Sequence, residues 1–145
     1  MKKRKTVALT LFIIGLTLSV AFIMKVEFPQ SFTAYFKKEY YNQFGPLVIS
    51  IELLIASYYL CMGHNKTNFT LALFGFTALL DPFFNQIGVF NSIVPLYGTI
   101  ISSICALFCL WLAFSNVYKL KRLSYLVAMI SLILGVFVEL FFNNF

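Results

Sequence analysis

Residues 2–25, KKRKTVALTLFIIGLTLSVAFIMK, decide the class of this chain. Four consecutive cations precede an uncharged run at 6–24, and one lysine closes it. A run of that length is close to the ~20 apolar residues with which an α-helix crosses a hydrocarbon core. Ser19-Val20-Ala21 loosely resembles a signal-peptide cleavage site, but the apolar part is long for a signal peptide, so the reading is an uncleaved first helix.

Four further apolar runs follow. The second, 46–62, is introduced by Gly45-Pro46, and proline suits the first turn of a helix. The third begins near Asn68, meets Asp81-Pro82 and continues to Phe90; the fourth covers 93–116 and the fifth 123–142. Lipid offers no partners to free backbone groups, so a crossing segment is a helix or part of a closed barrel. These runs lack the polar–apolar alternation of a transmembrane strand. The expectation is an all-α, polytopic membrane helix bundle, a single transmembrane domain over 1–145. It has five transmembrane helices at about 6–24, 46–62, 68–90, 93–116 and 123–142, plus one outer-face interfacial amphipathic helix at 28–44.

Composition agrees: the chain is 61% hydrophobic, 19% aromatic and only 11% charged, with a mean hydropathy of +0.89. A soluble domain carries about a quarter charged residues. A net charge of +6 concentrated in one patch would suggest nucleic acid. Here the basic residues flank apolar runs, so the partner they imply is the lipid bilayer, and nucleic acid is not expected. Lys2, Lys3, Arg4, Lys5, Lys66, Lys119, Lys121 and Arg122 fall in one set of alternate gaps, against Lys25, Lys37 and Lys38 in the other. That imbalance predicts a cytoplasmic amino terminus and an extracytoplasmic carboxyl terminus.

The gap after the first run is rich in rings. Phe28, Phe32, Tyr35, Phe36, Tyr40 and Phe44 recur at steps of three and four, with Gln30, Lys37, Lys38 and Asn42 elsewhere around the wheel. The spacing predicts a helix lying on the outer leaflet, its rings at headgroup level. An irregular aromatic loop packed on the bundle is the alternative.

Three of the five acids, Glu52, Asp81 and Glu139, fall in or near the runs. A carboxylate at mid-bilayer costs roughly 2.5–3.5 kcal/mol on insertion scales, so such residues face protein or water. Following the alternation of the runs, all three lie in the outer half. Thr70, Thr77, Asp81 and Asn85 form one polar stripe; Ser124, Ala128, Ser131, Gly135 and Glu139 form a small-residue stripe ending in an acid. Ser102, Ala106, Cys109 and Ala113 form a third in the fourth run. Small stripes let helices approach closely. The plain reading makes them the inside of the bundle. The sharper one makes Glu52, Asp81, Asn85 and Glu139 an ion, proton or headgroup site, or the dock for a basic partner.

Other positions carry less. Cys105 and Cys109 share a helical face at a spacing unsuited to a disulfide, and with Cys61 they read as small apolar residues. His64 reads as a solvated turn residue and Trp111 as packing. The glycosylation patterns at Asn65 and Asn68 fall on the cytoplasmic side. No phosphate loop, catalytic set or metal spacing occurs, so neither enzymatic activity nor a resident cofactor is expected.

Residues 8–116 resemble the DoxX/MauE group of small bacterial membrane proteins. The likeness lies in Gly15 through Lys25 followed by Pro29, an extracytoplasmic segment, and Ile51-Glu52-Leu53-Leu54 leading to Gly63. In that group a comparable first helix ends in Gly/Lys and the second carries a Glu-Leu-Leu-Gly-like stretch. Ala56-Ser57-Tyr58-Tyr59 stands here in place of the usual Gly-Leu-Leu, and a fifth helix follows Lys121-Arg122. The resemblance implies a place in the bacterial inner membrane beside a quinone- or thiol-linked redox system. Three functions follow as expectations. The first is a non-catalytic accessory or scaffold subunit that packs against other membrane subunits in a larger complex. The second is a DoxX-like accessory of an oxidoreductase, with quinone as its cofactor. The third is a small transporter or ion/proton pathway using the intramembrane carboxylates.

Overall fold

The computed structural model describes residues 2–37, 40, 43–89 and 96–144. The α-helices described over their full length are, in order, α1 (Lys2–Ile23), α2 (Gly45–Met62), α3 (Thr67–Ile87), α4 (Leu96–Ser115) and α5 (Tyr125–Asn144). No strand occurs among the described residues. Helices α1 to α4 are long and apolar enough to cross a membrane, and α5 carries a shorter apolar part, Tyr125–Phe141.

Local sequence sets the ends. Pro46 stands in the first turn of α2, where its missing N–H costs nothing. Gly63, at φ 68°, and Gly88, at φ 82°, end α2 and α3 in the left-handed region that glycine reaches without strain. Gly88 ends α3 after Ile87, and Phe90, the expected end of the apolar run, lies outside the described residues. Pro82 lies inside α3 and withholds the N–H that would meet the Ala78 carbonyl, yet the helix continues past it.

The core belongs to the first four helices: Leu11 of α1, Leu53 and Leu60 of α2, Leu71 and Phe74 of α3, Cys109 and Leu112 of α4. Helix α1 packs on α2, α2 on α3 and α3 on α4, while α5 lies mainly along α3. Gly75 is what lets α3 and α4 meet so closely. A Cβ placed there would stand 2.5 Å from Leu110 Cγ and 3.1 Å from the Ala106 carbonyl oxygen. At the other end of the chain, the Arg4 guanidinium lies over Gly63, 3.0 Å from where a Cβ would be. A cation there complements the negative end of α2. The outer face of α4 is apolar and open, with Leu107 61% and Trp111 57% exposed. Such a surface is out of place in water and ordinary in lipid.

The segment after α1 departs from expectation. A continuous helix over 28–44 is not formed. A 3-10 turn, Phe32–Phe36, stands between Ser31 and Lys37, both in extended backbone, and the Lys37 N–H donates to the Ala34 carbonyl. Side-chain contacts add to the backbone bonds of this segment. The Gln43 amide donates to the Glu27 carbonyl at 3.0 Å, and its oxygen accepts from the Glu27 N–H at 2.9 Å. Tyr40 packs edge-on against Tyr35 and Phe44, each at 5.1 Å between centroids. Phe28, Phe32 and Phe36 are exposed. Lys25 is 5.1 Å from the Tyr97 ring, a cation–π contact that ties this segment to α4. Lys38 and Asn42 lie outside the described residues.

Candidate functional site: a carboxyl cluster where three helices meet

Thr77 and Asp81 occupy successive turns of α3; Gly135 and Glu139 occupy successive turns of α5. Gly135 has no side chain to hold the helices apart. A Cβ there would stand 3.1 Å from Thr77 Oγ1 and 3.3 Å from the Thr77 backbone nitrogen. One turn beyond this contact, Asp81 and Glu139 hydrogen-bond to each other. Both are enclosed, Asp81 at 3% and Glu139 at 2% exposure.

Glu52 reaches the same place from α2. Its carboxyl group is a hydrogen-bond partner of Thr77, and it is close enough to Glu139 for their charges to interact. Glu52 itself is half-buried, but its Oε2 atom is buried and has no hydrogen-bond partner.

Donor counting constrains the chemistry. The Thr77 hydroxyl lies 2.8 Å from the Leu73 carbonyl and also within reach of the Glu52 carboxyl, and its single proton can be given to either. An ionised carboxylate has no proton to give, and two carboxylates cannot hydrogen-bond without one between them. The Asp81–Glu139 contact therefore calls for a proton. Among the described residues no three His, Cys, Asp or Glu side chains are placed to hold a metal ion.

The remaining sequence candidates divide. Ser131, fully buried one turn before Gly135, donates to the Ala128 carbonyl at 2.7 Å and is satisfied within α5. Asn85 lies exposed one turn past Asp81, and Thr70 sits at the far end of α3, donating to the Thr67 carbonyl at 2.9 Å. Cys105 and Cys109 are buried and free, and Cys61 is exposed and free. His64 serves the α2–α3 turn: its Nδ1 accepts from the Lys66 N–H at 3.1 Å, and its ring lies 4.9 Å from that of Tyr59.

One arrangement escaped the sequence. The Asn68 amide donates to Asn116 Oδ1 at 3.0 Å and to the Lys121 carbonyl at 2.6 Å. Asn116, itself at φ 51°, also accepts from the Leu120 N–H at 3.1 Å. These bonds pin the α4–α5 connection to the start of α3. The only hint available beforehand was asparagine at two run boundaries.

No family model matches this chain, and no match was found among curated proteins or solved structures.

Proposed function

We propose that this chain is a small proton pathway in which Glu52, Asp81 and Glu139 bind and pass protons in the outer half of the bilayer. The observation that carries this reading is the enclosed Asp81–Glu139 hydrogen bond, with Glu52 nearby at the α2–α3 contact. Docking of a basic partner fits less well, because its side chain would have to part α3 from α5 to reach either acid. Protons fit better than a metal ion, since proton transfer asks only for hydrogen-bonded neighbours.

The accompanying topology is five spans, with the amino terminus in the cytoplasm, the carboxyl terminus outside and α5 as the fifth crossing. In that frame the exposed rings of Phe28, Phe32 and Phe36 rest at the outer headgroups. The test is proton flux into vesicles of the purified protein, followed with an entrapped pH-sensitive dye. Wild type is expected to raise the flux, and Glu139→Gln and Asp81→Asn to abolish the increase while folding normally. Equal flux in all three overturns the proposal.

A second reading, an accessory subunit of a larger membrane complex, is favoured by the open face of α4. There Trp111 stacks on Phe108, with centroids 6.0 Å apart, between exposed Leu107 and Phe114. A partner recovered in fixed stoichiometry from mild detergent supports it; a homogeneous, active preparation opposes it. The redox-accessory reading in the bacterial inner membrane rests on the DoxX/MauE resemblance, and quinone extracted with the protein is its test.

A further inference from the structure

A cavity of about 410 Å³ opens where the α2–α3 turn meets the α4–α5 connection. Lys66, Lys121 and Arg122 line one part of it; Phe69, Leu123 and Val127 line another. All three cations are exposed and the three apolar side chains half-buried. The described acids lie elsewhere: Glu27 follows α1 at the opposite end of the bundle, and Glu52, Asp81 and Glu139 form the carboxyl cluster.

Two features separate this cavity from an ordinary basic loop. The backbone bearing Lys121 is fixed, because Asn68 holds its carbonyl at 2.6 Å and Asn116 holds the neighbouring Leu120 N–H at 3.1 Å. The Ser124 hydroxyl accepts from the Val127 N–H at 3.2 Å, which caps the start of α5 beside the cations. Three cations are thus gathered on ordered backbone next to an apolar wall.

We propose that this cavity binds the headgroup phosphate of an anionic phospholipid from the cytoplasmic leaflet, with an acyl chain lying along Phe69, Leu123 and Val127. Basic pockets between membrane helices on this side are suited to such headgroups. A phosphate oxygen takes charge-assisted hydrogen bonds from lysine and arginine. A free phosphate would use the cations and leave the apolar wall bare, so the amphiphile accounts for both halves of the lining.

The experiment is native mass spectrometry of the full chain in mild detergent, titrated with phosphatidylglycerol, phosphatidylcholine or inorganic phosphate. Wild type is expected to retain phosphatidylglycerol in preference to phosphatidylcholine, with inorganic phosphate a poor competitor. Lys66→Gln with Arg122→Gln should weaken that retention roughly thirtyfold, the loss of two cations beside a phosphate. The charge-matched Lys2→Gln with Lys3→Gln, outside the cavity, should leave it intact. If the cavity variant fails to fold, the melting temperature of the wild-type chain decides: it should rise with phosphatidylglycerol and not with phosphatidylcholine. Equal retention of the two lipids, an equal loss in both double variants, or displacement of lipid by inorganic phosphate overturns the proposal. None of these results depends on whether the carboxyl cluster moves protons.

Discussion

Asp81 and Glu139, on two helices running the same way, share a hydrogen bond one turn beyond the point where Gly135 rests on Thr77. The geometry of the acids is therefore set by a residue that carries no functional group. A side chain at 135 would move Glu139 relative to Asp81 before touching either.

Gly135→Ala should destabilise the chain. Its Cβ would stand 3.3 Å from the Thr77 backbone nitrogen, an atom that cannot swing away as a side-chain tip can. Overpacking of this kind costs about 1–3 kcal/mol. A lower melting temperature in detergent, together with loss of proton flux, is the expected result.

Gly75→Ala should cost more, because the added carbon would fall 2.5 Å from Leu110 Cγ. Shortening the opposing residue makes room, so Gly75→Ala with Leu110→Ala should recover part of the stability lost in Gly75→Ala alone. The melting temperatures of the two variants check this directly.

Asn68→Ala removes two hydrogen bonds and leaves the Lys121 carbonyl without its Asn68 partner. A loss of about 1–3 kcal/mol is expected. Because Asn116 belongs to the same network, the double variant with Asn116→Ala should lose clearly less than the two single losses added together. Additive losses would mean that the two asparagines act separately.

Labelling tests the topology. A cysteine at position 3 and another at position 144 should react with a membrane-impermeant reagent from opposite sides. Reaction from the same side would remove α5 from the count of crossings.

Much of this fold was legible because lipid imposes simple rules. Apolar runs of spanning length gave α1 to α5 to within a few residues at most ends. The exception at α1 has a plain cause: Lys2 to Lys5 are good helix formers and continue the helix beyond the apolar run. The Ser131–Gly135–Glu139 face was visible as a four-residue step of small and polar residues, and the structure buries all three. What could not be read was tertiary. Nothing local announces that Glu52 meets Thr77, or that Asn68 meets Asn116, 48 residues away. The ring spacing after α1 misled over 28–37, where ring positions at helical steps fall on extended backbone and a 3-10 turn instead of an α-helix. Pro29 and the extended Ser31 and Lys37 end the helical path there.

Infrared spectroscopy of the protein in lipid tests most directly whether the carboxyl cluster holds protons. The wild-type chain should show a protonated-carboxyl stretching band that shifts in heavy water, and Asp81→Asn with Glu139→Gln should lose most of it. A wild-type spectrum with carboxylate bands alone, or a band unchanged in the double variant, would contradict the account.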